Sequence, residues 1–196
     1  MTPEVPDFFQ SRIRKKPYGR KKLARRRLIL RILAGILPPV FAGVYSKVEA
    51  SWLDFSKITL PFRGIQKEEK LKLLHISDLH LSKTVSIEEI QVALRKGFSE
   101  SPDACFITGD FITGIPSEPE LEGLGKLLSI FSTKIPTYAC LGNHDGGSWA
   151  SRHGGPDTSN DLKKILKKSG VRLLVNERIR VRIKGIPLQI AGLGDL

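Results

Sequence analysis

The chain has 196 residues, of which 40% are hydrophobic, and a formal net charge of +12. Its two cysteines are too few for a disulfide framework, which excludes the small disulfide-rich secreted class. The charge is uneven: residues 1–31 carry eleven Lys or Arg and two acidic residues, a net +9, which leaves +3 for the remainder. Because a nucleic-acid enzyme would be expected to spread positive charge over its binding face, the composition disfavours nucleic acid as a partner.

Fourteen uncharged residues, 32–45, follow the basic run. They are short for a spanning helix, which needs about 20 residues, and Pro38-Pro39 is expected to break a helix there. A basic start, a brief apolar core and Val48-x-Ala50 also resemble a signal peptide, and Arg25-Arg26 weakly resembles a twin-arginine signal. Glu49 argues against cleavage. We therefore predict that residues 1–50 are a retained anchor lying in the membrane interface, with anionic lipid as its partner.

After a predicted connector, 51–70, residues 71–196 are expected to form one α/β domain. Short apolar runs predict strands that are buried on both faces, at 71–76, 104–107 and 138–141. The spacing of apolar residues predicts helices between and after them: one that begins at Ser86 with a Ser86/Glu89 capping box, one over 118–131 capped by Ser117, and one over 161–169. Strands are then expected at 171–175, at 178–184, where the alternation is strict, and at 188–191 after a turn at Gly185-Ile186-Pro187.

Polar clusters directly follow the first three strands. They are Asp78-Leu79-His80, Gly109-Asp110 and Gly142-Asn143-His144-Asp145. Asp78 lies 32 positions before Asp110, and Asp110 lies 33 positions before Asn143, about the length of a strand, a crossover helix and the next strand. Because parallel strands deliver the residues after their carboxyl ends to one crevice, we expect the three clusters to meet.

The side chains of these clusters favour metal chemistry. Two carboxylates, an imidazole and a carboxamide form an oxygen and nitrogen donor set suited to Mn, Fe, Co or Zn. Asp110 follows the middle strand and is placed to bridge two ions, because a carboxylate has two oxygens and its charge offsets cation repulsion. Two ions about 3.5 to 4 Å apart can activate water and hold a phosphoryl group for in-line attack. The natural reaction is phosphoester or pyrophosphate hydrolysis.

The three motifs resemble those of the calcineurin-like metallophosphoesterases, whose pattern is Asp-x-His, Gly-Asp and Gly-Asn-His-Asp/Glu in this order. The resemblance covers residue 72 to the C-terminus and implies a sandwich with a parallel βαβ core. It also implies two divalent metal ions, Mn being favoured. Asp78, His80 and Asp110 would hold the first ion, and Asp110 and Asn143 would hold the second.

The same resemblance assigns the two residues that follow Asn143 to catalysis rather than to metal binding. His144 is expected to face the scissile phosphate, to stabilise the transition state and to protonate the leaving group. Asp145 is expected to orient His144.

The chain departs from the family pattern downstream. Members complete both metal sites with a further His and a Gly-His-x-His motif, neither of which occurs here. We therefore expect the chain to be the amino-terminal part of a longer protein, incomplete at its C-terminus, and to bind divalent metal weakly on its own.

The segment His75-Ile76-Ser77-Asp78-Leu79-His80-Leu81 resembles the membrane-associated bacterial branch of the family, which includes the UDP-2,3-diacylglucosamine pyrophosphatases of lipid A synthesis. The function predicted for the complete protein is hydrolysis of such a membrane-held phosphoanhydride. The alternatives are a broad phosphodiesterase or phosphatase, and a catalytically inactive membrane-binding fragment. The predicted location is the cytoplasmic face of a bacterial membrane, with export after signal cleavage as the alternative.

Several other residues have competing interpretations. His75 is expected to be a core or hydrogen-bonded histidine, and His153 in the Gly-rich loop 146–160 has a substitute metal ligand as its alternative role. Trp149 either lines the substrate entrance or packs locally. Cys105 and Cys140 are expected to be small buried hydrophobes. The basic stripe, Arg178, Arg180, Arg182 and Lys184, is expected to be a solvated strand face, with a surface for anionic headgroups as the alternative.

Overall fold

The computed structural model describes residues 31–32, 34–39, 53–61 and 70–194. The chain divides into two units, Met1–Trp52 and Leu53–Leu196. In the first unit the described residues are helical and exposed, and they include Pro38 and Pro39. The described helical residues end at Pro39 and the residues that follow lie outside the described part of the chain, so the prediction that these prolines break the helix stays a prediction.

The remaining expectations for residues 1–50, including the twin-arginine and cleavage motifs, lie outside the described residues, as does most of the predicted connector. In the part of the chain that the structure describes, no helix has the length and apolar character needed to cross a membrane. The predicted division at residues 50 and 70 stays a prediction.

The second unit is built on a four-stranded parallel sheet. Its strands lie side by side in chain order: β1, Leu73–Ser77; β2, Ala104–Thr108; β3, Thr137–Cys140; and β4, Arg172–Leu173. The pairing is in register, since Leu73 lies opposite Ala104 and Cys105 lies opposite Thr137. The first three predicted strands are confirmed to within two residues. The predicted strand 171–175 is shorter, because β4 pairs with β3 only over Arg172 and Leu173.

Helices follow each of the first three strands: α1, Ile87–Ser99; α2, Glu118–Ser132; α3, Ser148–Arg152; and α4, Asn160–Lys168. The capping box at the start of α1 is confirmed, because the Ser86 backbone N–H donates to Glu89 Oε2 at 2.7 Å and the Glu89 N–H donates to Ser86 Oγ at 3.3 Å. The short helix α3 lies where only a Gly-rich loop was predicted.

One face of the sheet carries the main hydrophobic core. Buried residues of α1, α2 and α4, such as Leu94, Leu124 and Leu166, pack there against Cys105 and Ile107 of β2. Cys105 therefore acts as a small buried hydrophobe, as predicted, and burial raises the pKa of its thiol to about 12. Cys140 is half-buried, and both cysteines are free.

The other face of the sheet is covered by an antiparallel hairpin made of β5, Glu177–Ile183, and β6, Ile186–Gly192. Ile183 opposes Ile186, so the turn consists of Lys184 and Gly185, whose φ angles are 50° and 80°. Two central residues with positive φ are typical of the two-residue turns that match strand twist. The turn predicted at 185–187 is therefore wrong by one residue, and β6 begins at Ile186.

Alternation along β5 divides its two faces as predicted. Ile179, Val181 and Ile183 pack towards Ala104 and Tyr138 of the sheet, which leaves the basic side chains outside. Arg178, Arg180, Arg182 and Lys184 are exposed. The domain is thus a three-layer arrangement of helices, parallel sheet and hairpin, consistent with the sandwich expected from the sequence.

Candidate metal centre

The three polar clusters lie at one edge of the sheet because their strands end in register. Ser77 at the end of β1 pairs with Thr108, and Thr108 at the end of β2 pairs with Cys140. Each cluster begins one or two residues beyond that line. The parallel arrangement predicted from the spacing therefore brings the clusters together at the carboxyl ends of the strands.

The backbone of this edge is unusual. Asp78, His80 and Asp110 have φ angles of 55°, 47° and 48°, in the left-handed region that non-glycine residues rarely adopt. Such a conformation costs about 1 to 3 kcal/mol per residue and persists only where surrounding contacts enforce it. Those contacts are present: His80 N–H donates to the Asp110 carbonyl at 2.8 Å, and Leu81 N–H donates to the Phe111 carbonyl at 2.9 Å.

Two glycines allow the Asp110 and Asn143 turns to approach each other. A Cβ atom on Gly142 would lie 2.6 Å from the Asp110 backbone nitrogen and closer still to its carboxylate. A Cβ atom on Gly109 would lie 3.3 Å from Gly142 Cα. A side chain at position 142 would therefore displace the Asp110 carboxylate, which explains why glycine precedes Asn143.

The side chains of the first two clusters converge on His80. Its Nε2 lies 3.6 Å from Asp78 Oδ1 and 3.7 Å from Asp110 Oδ2. Its Nδ1 lies 2.6 Å from the Thr113 hydroxyl. An outer partner on one ring nitrogen fixes the ring and leaves the other nitrogen free for a metal. Sequence reasoning missed Thr113, because nothing in the sequence signals a contact between residues 80 and 113.

One potential metal-binding group of three or more residues occurs among the described residues: ligand atoms of His80, Asp110 and His144 lie within 4.8 Å of one another. Asp78 borders this group through His80 and is 59% exposed. Asn143 is half-buried in the turn after β3, between Gly142 and His144.

The donor set fits a divalent cation. Carboxylate oxygens and imidazole nitrogens converge from two turns, as borderline divalent metals prefer. The Asp110 carboxylate is only 13% exposed, and no Lys or Arg forms an ion pair with it in the described part of the chain. The negative charge is therefore left available to a cation.

His144 is the third member of this group. Its backbone N–H donates to Asp110 Oδ1 at 3.0 Å. Its ring lies edge-on to the His80 ring, with centroids 5.0 Å apart. This position places the imidazole beside the predicted ligands, which is where a group that acts on a bound substrate has to lie.

Asp145 has a different contact set from the one predicted. Its side chain is fully buried. Oδ1 accepts hydrogen bonds from the backbone N–H groups of Phe111 at 2.7 Å and Ile112 at 3.2 Å, and Oδ2 accepts one from Gly142 at 2.9 Å. In the described residues neither oxygen is bonded to the His144 ring. The family resemblance implied that contact, but the carboxylate accepts hydrogen bonds from both turns and so joins the Asp110 turn to the Asn143 turn.

Burial raises the pKa of the Asp145 carboxyl group to about 6, although its three backbone N–H partners act in the opposite direction and the charge of Asp110 raises it further. A buried carboxylate with three donors is well satisfied. Asp145 is therefore a structural clamp between the two turns.

The remaining predicted residues lie near or away from this centre. His75 is exposed on β1, and its Nε2 lies 2.7 Å from Thr108 Oγ1, so it is hydrogen-bonded as expected. Trp149 is half-buried on α3, and its ring lies 4.5 Å from the His144 ring. His153 stacks on Trp149 at 3.9 Å and does not join the group of potential ligands.

Comparison with known proteins agrees with this geometry. A family model described as calcineurin-like phosphoesterase matches residues 71–187. The chain is 26% identical to phosphodiesterase YaeI of Escherichia coli over 174 residues, which cover 89% of the chain and 62% of that protein. It is 31% identical to the metallophosphoesterase YkoQ of Bacillus subtilis over 133 residues, 67% of the chain and 46% of that protein.

A third relative carries a more specific name. The chain is 36% identical to the UDP-2,3-diacylglucosamine pyrophosphatase LpxG of Chlamydia muridarum over 96 residues, which cover 46% of the chain and 29% of that protein. The chain thus spans about half the length of the first relatives it matches, between 46% and 62%.

Proposed function

The chain belongs to the calcineurin-like phosphoesterase family, and on that premise we propose that its strand-end site hydrolyses a phosphoester or phosphoanhydride with two divalent cations, Mn being favoured. The observation that carries the proposal is the alignment of Ser77, Thr108 and Cys140 in register, each followed by a predicted ligand. The left-handed φ angles of Asp78, His80 and Asp110 support it, because such strain clusters at functional sites.

In this proposal Asp78, His80 and Asp110 hold the first cation, and Asp110 and Asn143 hold the second. When bound, the cations would polarise phosphoryl oxygens and lower the pKa of water. The protein's own contribution is to fix the donors. Thr113 holds the His80 ring at 2.6 Å, and the His144 N–H holds the Asp110 carboxylate at 3.0 Å.

His144 is proposed as the group that touches the substrate. Its ring adjoins the predicted ligands, from where the imidazolium N–H can hydrogen-bond a phosphoryl oxygen and pass its proton to the leaving oxygen. Such a transfer is typically worth about 10²- to 10⁴-fold in rate. Asp145 is proposed as a positioning residue, since its three backbone hydrogen bonds join the turns that carry Asp110 and Asn143.

The substrate that we favour is a membrane-held phosphoanhydride such as UDP-2,3-diacylglucosamine. The name of the Chlamydia relative supports this choice. The name of the Escherichia coli relative equally supports a broad phosphodiesterase, which is the alternative. A catalytically inactive membrane-binding chain is the candidate from a different class.

The lipid partner is proposed on charge. Residues 1–31 carry a net +9 and precede fourteen uncharged residues, a combination typical of interfacial anchors. In the domain, Arg178, Arg180 and Arg182 are exposed on one face of β5. They lie opposite the uncharged residues Ala191, Gln189 and Pro187 of β6. Arginine forks suit phosphate groups, so anionic headgroups at the cytoplasmic face of a bacterial membrane are the proposed ligand.

The experiment that tests the function compares two substrates under Mn²⁺: UDP-2,3-diacylglucosamine presented in phospholipid vesicles, and a soluble bis(p-nitrophenyl) phosphate. Mn²⁺-dependent release of UMP, faster than hydrolysis of the soluble diester, supports the lipid-linked function. Hydrolysis of the soluble diester alone supports the broad phosphodiesterase. Absence of both activities, with Mn²⁺ still bound, supports the inactive membrane-binding chain.

A further inference from the structure

Trp149 lies in a continuous row of rings beside the candidate metal centre. The His144 ring is edge-on to His80, with centroids 5.0 Å apart, and is tilted by 59° against Trp149 at 4.5 Å. The His153 ring is stacked on Trp149 at 3.9 Å, with only 19° between the planes. The indole therefore contacts the rings of both His144 and His153.

The rigidity of this row comes from α3. His153 follows Trp149 by four residues, one helical turn, and its Nδ1 lies 2.7 Å from the Trp149 carbonyl oxygen. The helix is fixed to the loop after it: the Gly155 N–H donates to the Ala150 carbonyl at 2.8 Å, and Ala150 is 1% exposed. The indole consequently presents a fixed face to His144.

His144 needs such a support, because its neighbour in the sequence does not provide one. Both oxygens of Asp145 are engaged by backbone N–H groups. Among the described residues, the aromatic neighbours of the His144 ring are His80 and Trp149. His80 is itself held by Thr113, so Trp149 is the neighbour that limits how far the His144 ring can swing away from the centre.

We propose that Trp149 is the positioning residue for the His144 imidazole, and that the stacked ring of His153 holds the indole in place. The catalytic consequence rests on the proposed function of His144, whereas the ring contact does not. Removal of the indole would leave His144 in place but free to rotate, and loss of a near-attack geometry of this kind can cost about 100-fold in rate.

The contact can be tested without any activity. The chain has two tryptophans, Trp52 and Trp149, so Trp52→Phe leaves Trp149 as the only indole. In that background His144→Ala and His153→Ala should each change the intensity of Trp149 emission, because each removes a ring that contacts the indole. The matched control is Ser148→Ala, an exposed position on the same helix, which should leave Trp149 emission unchanged. If Trp149 emission is unaffected by both histidine substitutions, the row of rings does not exist and the proposal is overturned.

The positioning role is tested in an active preparation with two diesters, one with a p-nitrophenolate leaving group and one with an alkoxide leaving group. Trp149→Ala should lower kcat about 10- to 100-fold on the alkyl diester. The loss should be smaller on the nitrophenyl diester, because only the poor alkoxide leaving group needs a proton. KM and Mn²⁺ affinity should stay unchanged. Trp149→Phe should recover most of the rate. A raised KM with unchanged kcat would mean that Trp149 contacts the substrate rather than positions His144, and would overturn the proposal. If His144→Ala has no kinetic effect, the assigned role of His144 fails separately from the ring contact.

Discussion

The two ends of strand β2 carry aspartates that are equally buried but have different environments. Asp103 immediately precedes the strand and Asp110 follows its end, and the side chain of each is 13% exposed. Asp103 accepts the Lys72 backbone N–H at 2.8 Å and lies 3.1 Å from Lys184 Nζ. Asp110 accepts the His144 backbone N–H and faces His80, with no Lys or Arg partner among the described residues.

The backbone conformations of Asp103 and Asp110 also differ. Asp110 has a φ of 48°, whereas Asp103 is not among the residues with positive φ. An aspartate whose charge is matched by lysine and whose backbone is relaxed needs no further partner. An aspartate that is held in a strained conformation beside two imidazoles, those of His80 and His144, is suited to a cation. The comparison teaches that the local environment of a carboxylate, rather than its burial, separates an aspartate with a lysine partner from one suited to a cation.

The largest expected effect follows from removing the charge of Asp110. Asp110→Asn should abolish Mn²⁺-dependent hydrolysis in an active preparation. Loss of a residue that hydrogen-bonds a metal ligand typically lowers activity about 10- to 100-fold. The loss of activity in Asp110→Asn should be larger, because the proposed bridging ligand itself is removed. The assay is release of nitrophenolate from bis(p-nitrophenyl) phosphate. Retained hydrolysis would contradict the two-metal mechanism.

The matched control is Asp103→Asn at the other end of the same strand. It removes an ion pair with Lys184, whose side chain is 59% exposed, and should lower the free energy of unfolding by no more than about 1 kcal/mol. Urea denaturation measures this loss. A loss of hydrolysis equal to that of Asp110→Asn would mean that the two ends of the strand are not functionally different.

The second expected effect separates a catalytic group from a ligand at the same edge. In an active preparation His144→Ala should leave Mn²⁺ bound but lower kcat by about 10²- to 10⁴-fold, the usual worth of general acid catalysis. Steady-state kinetics and metal analysis of the purified variant measure the two quantities. If the variant loses metal instead, His144 is a ligand, as its proximity to His80 and Asp110 also allows.

The third expected effect tests the close approach that shapes the Asp110 turn. Gly142→Ala places a methyl group 2.6 Å from the Asp110 backbone nitrogen. Overpacking of this kind typically costs about 1 to 3 kcal/mol in the free energy of unfolding, and we also expect weaker Mn²⁺ binding. Ser148→Ala, an exposed position in the same segment, should change neither quantity. Unchanged stability in Gly142→Ala would show that the two turns are further apart than described.

The last expected effect lies away from the metal centre, on the basic stripe of β5. Replacing Arg178, Arg180 and Arg182 by Gln should weaken binding to vesicles that contain anionic phospholipid, because each basic residue near such a surface is worth about 1 kcal/mol. Vesicle sedimentation at low and high salt measures the change, and the difference should shrink as salt screens the charges. Equal binding of wild type and variant at low salt would mean that the stripe is only a solvated face.

Much of this edge could be predicted from the sequence, because it depends on local patterns. The apolar runs before Asp78, Asp110 and Asn143 gave the strands, and their spacing gave the parallel order that the structure confirms. The capping box of Ser86 and Glu89 is likewise a contact within one turn of helix. These features need no knowledge of distant residues.

Contacts between distant residues could not be predicted in the same way. Asp145 reaches the backbone of Phe111, 34 positions away, and Thr113 reaches His80, 33 positions away. Both contacts depend on how two turns pack after the sheet has formed. The position of the turn at Lys184-Gly185 was predicted wrongly for a different reason. Pro187 suggested a turn, but Ile183 pairs with Ile186, so Pro187 is the second residue of β6. A proline is tolerated near the start of a strand or on a sheet edge.

The central claim, that the carboxyl end of β2 binds a divalent cation and the amino end does not, is tested most directly by an electron paramagnetic resonance titration of the purified chain with Mn²⁺. Weak binding is expected for the wild type, because the proposed site has Asp78, His80, Asp110 and Asn143 as its ligands and the sequence contains no Gly-His-x-His motif. Binding should disappear in Asp110→Asn and persist unchanged in Asp103→Asn. Equal Mn²⁺ binding by the wild type and by Asp110→Asn would contradict the account, and tight binding of two Mn²⁺ ions would show that the ligand set was underestimated.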